Sequence, residues 1–598
     1  MIEGVTAHEV LLQYESRMGE LQAGLDQARL HGALAAVALG MALGLFLIFG
    51  LLAIRRQASV LLPSLPVPLL AASARRFRKN RQSQFRMGRL RRFYARAVQR
   101  VQGNWAGHGV SGEEFADSAH RYASDLNVFG EGSLFELLCT ARTAIGRRGL
   151  AKYLLETPAV GETLLRQEAV RELRDQADLR ERVALLGEFE FVESRWETFA
   201  EWLGFPAAAF PGPLRAAALT SSTLVAGTVV GGIAGLFPWM SVAAWIAPLL
   251  AFHAAVGIAF RSRVRRMLAW LGPVSAETSI LRQGLILLEE QRFRCPKLRQ
   301  LADRVRNSAQ PVRKLDRLLR VLSERNKEMF YGPSLLLLGA TQLCMAIERW
   351  RIEHAADLLV WLDAWAEFEA LNSLANYAYE NPDNAFPEFS RGEAAFEAGA
   401  LGHPLLPEET CVRNDVRLNR RSCFYVLSGS NMSGKSTLLR AIGLNAVLAF
   451  AGAPVRAAAL RLSRLSVYAS LSVVDSLLNG TSRFMAEMER LRVTLRAALH
   501  GEPVLFLIDE ILSGTNSHDR RIAAEAVVRT LVGGGAIGVL STHDLALTAI
   551  ATPALGGVNV HTGSRNGNDP LDCDYRLKPG VTTEANALAI ARMAGVPV

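Results

Sequence analysis

Residues 424–437 read Phe-Tyr-Val-Leu-Ser-Gly-Ser-Asn-Met-Ser-Gly-Lys-Ser-Thr. A short run of β-formers breaks into glycine and small polar residues, and Gly-Lys-Ser arrives where a helical pattern begins. The spacing is G-x-x-x-x-G-K-S, a phosphate-binding loop set between a strand and a helix. Gly429 and Gly434 let the backbone fold around a phosphate chain with its N–H groups inward. Ser430, Asn431, Met432 and Ser433 fill the loop, and the helix that starts near Lys435 adds the positive end of its dipole. Lys435 is placed to reach the β- and γ-phosphates, Ser436 to ligate Mg²⁺, and Thr437 to close the site. ATP and Mg²⁺ are therefore the expected cofactors. A glycine-rich turn can meet such a pattern by chance, so the segments downstream decide.

Val504–Glu510 is an apolar strand pattern ending in two acids. Asp509 is expected to hold the Mg²⁺, and Glu510 to orient or deprotonate the attacking water. A third strand pattern, Ala536–Ser541, ends at Thr542-His543-Asp544. A histidine there can hydrogen-bond a γ-phosphate or the attacking water. Between the loop and the acids, residues 479–488 form a polar turn entering a helix. Thr481 or Ser482 either caps that helix or helps present its N-terminus to a phosphate bound elsewhere.

At 598 residues the chain has room for several domains, and half of its residues are hydrophobic. The six cysteines (139, 295, 344, 411, 423 and 573) form no C-x-x-C pair and no zinc spacing, so they read as reduced thiols of a cytoplasmic protein. The net charge of +10 is unevenly spread. Residues 1–32 are mildly acidic with a helical apolar pattern. Residues 33–54 carry no charge over about 22 positions, enough to span a bilayer. Arg55 and Arg56 follow, and after Pro63, Pro66 and Pro68 the segment from Arg75 to Arg100 is basic with no acid. That side is expected to be cytoplasmic, with the N-terminus outside. The same segment can hold anionic lipid or nucleic acid.

A second apolar block interrupts the helical region that begins at Asp125. Ala216–Phe237 and Val242–Phe260 are uncharged runs joined by Pro238–Ser241, which leaves room only for a tight hairpin. Arg215 before it and Arg261, Arg263, Arg265 and Arg266 after it place both outer ends on the cytoplasmic side. Gly227, Gly231, Gly232 and Gly235 favour close helix packing in lipid. Residues 292–327 are basic, with charges interleaved with leucine and valine, so they form either a solvated helix face or a nucleic-acid groove. After Gly399 the pattern turns to alternating strands.

Taken together, Ser428–Thr437, Thr481–Met488, Ile508–Asn516 and Ser541–Asp544 resemble the MutS family, whose ATPase belongs to the ABC superfamily. Asn431-Met432 inside the loop and Phe484-Met-x-Glu-Met488 distinguish this pattern from transporter ATPases. Residues 589–597, 133–137, 143–150, 403–405 and 414–415 are similar to other parts of the same family. The resemblance covers roughly 125–205 and 270–598 and leaves the apolar spans outside it. It implies an ATPase working as a homodimer that sandwiches two ATPs. Ser482 would contact the γ-phosphate bound by the partner subunit, Thr515 and Asn516 would lie in the loop crossing the interface, and Tyr575 would fall near the adenine.

Residues 1–124 do not carry the N-terminal mismatch-reading and connector domains of that family, and no clamp insertion is evident. Nor is a C-terminal dimerisation extension or nuclease domain expected before Val598. The expected fold is an α/β P-loop domain of the ABC type plus an all-α lever and core domain, with three predicted transmembrane helices. The expected segments are 1–32, a span at 33–54, a basic linker at 55–124, a helical core at 125–400 interrupted at 216–260, and the ATPase at 401–598. The expected function is that of a membrane-anchored dimeric ATPase of a bacterial-type inner membrane. It would touch membrane lipid and act on DNA in a mismatch-repair-like or recombination-related role. The alternative is a membrane ATPase that couples dimer closure to its transmembrane helices without nucleic acid.

Overall fold

The computed structural model describes residues 6–55, 59, 62–187, 202–204, 210–324, 334, 337–430, 433–471, 483–513, 516–563 and 573–582. The chain divides into two units. One comprises Met1–Thr140, Ala151–Leu185 and Leu371–Val598, the other Ala141–Leu150 and Leu186–Ala370.

The first unit opens on a long antiparallel helix pair. Helix α1 (Ala7–Ile54) starts at a capping box in which Thr6 and Glu9 exchange side-chain and backbone hydrogen bonds. Helix α2 (Val67–Val101) starts with Pro66 at its N-cap and Pro68 in its first turn, and a long run free of proline then lets it continue. Val10, Tyr14 and Leu21 of α1 pack on Leu90, Tyr94, Ala97 and Val98 of α2. Arg17 reaches Glu181 at 3.1 Å, and Tyr379 donates to Gln13 at 2.7 Å.

The structure thus differs from the expected segments here. No element ends at residue 32, and the basic stretch is mostly a packed helix rather than a linker. The start of α1 packs on Glu181 and Tyr379, which belong to the same unit. The second half of α1 is different in kind: Leu34, Val37, Met41, Leu47 and Ile54 are all exposed.

In the second unit, helices α3 (Gly212–Ile233) and α4 (Trp239–Glu290) form the apolar hairpin. Its turn sits at residues 234–238, earlier than Pro238–Ser241. Gly235 takes φ +74°, a left-handed value that suits glycine, while Leu236 N–H donates to Gly231 O. Pro238 then caps α4, so Trp239 already belongs to the second helix. A Cβ at Gly231 would stand 2.8 Å from the Phe237 ring, and one at Gly232 would stand 3.0 Å from Val242. Ser221 Oγ lies 2.7 Å from His253 Nε2, a polar fastening between the two helices. Helices α5 (Ala309–Glu324) and α6 (Gly339–Glu380) complete the labelled elements that contribute to this unit; α6 extends beyond Ala370 into the first. Three described helices are long and apolar enough to cross a membrane: Ala7–Ile54, Gly212–Ile233 and Trp239–Ala269.

In the second unit, Glu369 of α6 is buried and accepts from Arg142 N at 2.7 Å, Thr143 N at 3.3 Å and the Thr143 hydroxyl. Burial pushes its carboxyl up to about 7, although these donors act in the opposite sense.

The rest of the first unit is built on strands β1 (Glu388–Phe389), β2 (Phe396–Leu401), β3 (Asn414–Leu418), β4 (Phe424–Ser428), β5 (Ala459–Leu462), β6 (Ser466–Ser470), β7 (Val504–Asp509), β8 (Ile537–Thr542), β9 (Gly557–His561) and β10 (Lys578–Pro579). They form a four-stranded sheet in the order β1-β5-β2-β3 and a six-stranded one in the order β10-β9-β4-β8-β7-β6. The larger sheet is parallel from β9 to β6, with β10 antiparallel at its edge. Helices α7 (Lys435–Ala451), α8 (Arg483–Leu499) and α9 (Ser517–Gly533) belong with it. Its strands β4, β6 and β8 are buried throughout, as is β7 up to its last residue, which fits a parallel sheet covered on both faces, while β9 and β10 at the edge are more exposed. The strand-bearing part begins at Glu388, a little before the expected boundary at 401.

Candidate active site

The site follows from the register of three neighbouring parallel strands. Ser428 at the end of β4 pairs with Thr542 at the end of β8, and Asp509 at the end of β7 pairs with Ser541. The phosphate loop, the two acids and His543 therefore emerge at one end of the sheet, where ligands bind in open α/β folds.

The loop is tight. A Cβ at Gly429 would meet the Ser433 and Thr562 hydroxyls at 2.7 and 2.8 Å, and Gly434 caps α7 at φ +85°. Lys435 Nζ donates to Gly429 O at 2.9 Å and to Ser430 O at 2.7 Å. Burial lowers the Lys435 ammonium below its ordinary value, while Asp509 and Glu510 act in the opposite sense. Ser433 accepts from the Thr562 hydroxyl at 2.8 Å, which ties the loop to the chain beyond β9. Thr437 lines the same cavity of about 760 Å³, together with Asp509, Glu510, His403 and Tyr575.

The Ser436 hydroxyl donates to Asp509, and so does the Ser541 hydroxyl. An oxygen pair of this kind fits Mg²⁺, which takes one or two protein oxygens and completes its shell with water and phosphate. Among the described residues no group of three or more His, Cys, Asp or Glu side chains converges. Glu510 stands next to this pair with φ +52°, a strained value for a side chain with a Cβ. Ser541 O accepts from its backbone N–H at 3.1 Å, and His543 Nδ1 lies 3.1 Å from its Oε1. A carboxylate held by its backbone and facing a histidine is suited to positioning a water.

Arg520 and Thr562, which no motif marks, join motif residues in holding the site. Glu487 accepts from Leu512 N–H at 2.5 Å, and Arg520 Nε donates to Ile511 O at 2.7 Å, so the turn after the acids is fixed from α8 and α9. His403 Nδ1 accepts from Leu405 N–H at 3.2 Å, and burial pushes its imidazole down to about 4, reinforced by Arg440 and Arg456. The Tyr575 ring lies against the loop, where a Cβ at Gly434 would stand 2.8 Å from it.

Asn516 caps α9, its side chain accepting from Asp519 N–H at 2.9 Å. Asn431, Met432, Ser482 and Thr515 lie outside the described residues, as do the segments 472–482 and 583–598.

Residues 425–598 match the family model described as MutS domain V. The C-terminal part of the chain is thus similar to a domain of MutS proteins. The chain is 33% identical over 251 residues to DNA mismatch repair protein MutS 2 of Halobacterium salinarum (strain NRC-1), covering 41% of this chain and 28% of that protein. It is 30% identical over 307 residues to DNA mismatch repair protein MutS of Nitratidesulfovibrio vulgaris (strain DP4), covering 50% of this chain and 32% of that one. The chain thus spans less than a third of the length of these MutS relatives.

Proposed function

We propose that this chain is a membrane-anchored, MutS-like ATPase of the ABC type that works as a homodimer on DNA. The observation that carries the ATPase part is the pairing of Ser436 with Asp509 beside Glu510 and His543, at adjacent strand ends above a phosphate loop. In the proposed site Lys435, Ser430, Asn431, Met432, Ser433 and Thr437 hold the phosphates, while Ser436 and Asp509 hold Mg²⁺, which would shield the phosphate charge. Glu510 orients the water, with His543 hydrogen-bonded to it. Ser482, Thr515 and Asn516 face the partner subunit. The DNA part rests on the relatives named DNA mismatch repair proteins.

The test is ATP turnover of the full chain in nanodiscs, with and without homoduplex, mismatched and branched DNA. Stimulation of severalfold by one of these is expected. Indifference to all three removes DNA from the proposal.

One observation favours a second reading, in which ATP drives the transmembrane helices. Helix α4 runs unbroken for 52 residues, so its candidate span and the part beyond Ala269 are a single rod of about 78 Å. Such a rod carries motion at one end to the other. In that case ATP turnover would respond to Gly231→Leu with Gly232→Leu in the hairpin and ignore DNA.

The membrane arrangement proposed puts residues 33–54 of α1 and the α3–α4 hairpin in the bilayer, with the N-terminus on the ATPase side, a reading supported by its packing on Glu181 and Tyr379. Single cysteines in a chain freed of its six native thiols test this with an impermeant maleimide. Met240→Cys is expected to react on intact cells, and His8→Cys and Arg420→Cys only after permeabilisation. Reaction of His8→Cys from outside would return the N-terminus to the far side.

A further inference from the structure

At the foot of the α3–α4 hairpin the second unit holds a cavity of about 810 Å³. It lies between the first turns of α3, the last turns of α5 and the first turns of α6. Its walls are largely apolar, with Leu219, Val321, Leu337 and Leu343 among the lining side chains. Three arginines line it, Arg215, Arg317 and Arg320, against one acidic residue, Glu324, among the described lining residues. Asp316 does not redress that balance, because it is shared between Arg320 at 2.8 Å and Arg282 at 2.9 Å.

The floor is closed by polar contacts. Gln342 Nε2 donates to Ser222 Oγ and to Leu337 O, both at 2.8 Å, and Ser222 donates to Leu337 O at 3.0 Å. Those groups are engaged with each other, so the positive charge near the cavity rests on the arginines.

The level of the cavity is set by the helix carrying it. Arg215 stands one turn inside a helix apolar enough to cross a membrane. Because Ser221 faces His253 across the hairpin, the cluster Arg261, Arg263, Arg265 and Arg266 of α4 falls at the same end as Arg215. A charged collar next to an apolar span marks the headgroup layer of a bilayer.

We propose that this cavity binds one anionic phospholipid, its phosphate held by Arg215, Arg317 and Arg320 and an acyl chain lying along the apolar wall. The two halves of the site ask for the two halves of such a molecule. Arginine forks match phosphate oxygens bidentately. The apolar wall is unsuited to a small hydrated anion, and a zwitterionic headgroup brings its own cation to a site already rich in positive charge. The assignment rests on the α3–α4 hairpin being in the membrane.

The full chain in nanodiscs carrying a trace of a photoactivatable lipid tests it, with crosslinked peptides mapped by mass spectrometry. Phosphatidylglycerol with a diazirine on its acyl chain is expected to label residues 215–222 and 337–346, and its phosphatidylcholine counterpart to leave them unlabelled. Both probes are expected to label 239–258. Arg317→Glu with Arg320→Glu should cut the cavity labelling by at least about tenfold, since each arginine near an anionic lipid contributes severalfold in affinity. The labelling at 239–258 should stay unchanged, which also shows that the variant is folded and inserted. Leu343→Trp, which fills the cavity without touching its charge, should act in the same direction.

Equal labelling of the cavity by the two lipids, or full labelling in the double variant, overturns the proposal. So does loss of the labelling on adding millimolar inorganic phosphate, which would identify a soluble anion as the occupant. No labelling of 239–258 by either lipid would instead fail the membrane reading itself.

Discussion

Glu510→Gln binds ATP as the parent does and turns it over ~10²–10⁴-fold more slowly, the range that a positioned general base supplies. The glutamine keeps the size of the side chain, so contact with His543, now at 3.1 Å, is retained. What it loses is the negative charge that accepts the proton of the attacking water. The phosphate loop is untouched, so nucleotide is held and accumulates as ATP. Lys435→Ala gives the opposite pattern. Its ammonium now donates to Gly429 O and Ser430 O, and a bound phosphate chain would take over those bonds. Removing two charge-assisted hydrogen bonds weakens ATP binding on the order of a hundredfold or more. Equilibrium binding of a fluorescent ATP analogue and single-turnover hydrolysis on the same preparations separate the two effects. Near-normal turnover in Glu510→Gln would remove that residue from the catalytic role, and unchanged affinity in Lys435→Ala would remove the lysine.

Both variants concern residues that were legible in the sequence, and the reason is local. A parallel strand is an apolar run, and its end is where the chain turns polar, so the motifs announce their own position. Ser436, Asp509, Glu510 and His543 meet because β4, β8 and β7 are neighbours in register, and motif order alone was enough to anticipate it. The contacts that brace them were not legible. Glu487 reaches Leu512 across 25 positions, and Thr562 reaches Ser433 across 129. Neither pair has a spacing that sequence periodicity can reveal, because only the finished fold brings them together.

The helix pair at the start of the chain shows a different obstacle. Leu90, Tyr94, Ala97 and Val98 recur at helical spacing in α2, and so do Val10, Tyr14 and Leu21 in α1. The density of arginine in α2 and the uncharged run in α1 dominated their composition and suggested a linker and a simple span. Two faint apolar stripes became informative only when each was seen to cover the other. In the α3–α4 hairpin the position of the turn depended on which residue ends the helix. Gly235 stops α3 by its left-handed conformation before Pro238 is reached.

Asp125→Ala is expected to have the other large effect, on the stability of the sheet's edge. Asp125 is only 1% exposed and binds three separate elements of the first unit. One carboxylate oxygen accepts from Leu471 N–H at 2.9 Å, the other from Arg490 of α8, and its backbone carbonyl accepts from Arg440 of α7 at 3.0 Å. Alanine leaves the Leu471 N–H and the Arg490 guanidinium without this acceptor, and breaking a buried pair of this kind costs about 3 kcal/mol. We take the low end of that range because the Arg490 side chain is 30% exposed. Asp125→Asn keeps an acceptor for Leu471 and loses only the charge, so a cost nearer 1 kcal/mol is expected. Hydrogen exchange of the full chain, read at residues 466–471 and 483–499, measures the opening of these elements without assuming that the whole protein unfolds in one step. The double variant with Arg490→Ala should cost less than the sum of the two single ones, as it does for residues in direct contact. Leu471 and Arg483 flank the stretch that contains Ser482, the residue proposed to reach the partner's ATP. Asp125 holds Leu471 before that stretch and Arg490 of α8 beyond it, and its loss should lower turnover in the dimer more than it lowers ATP binding. Unchanged protection in Asp125→Ala, or strict additivity with Arg490→Ala, would show that the stretch is anchored elsewhere.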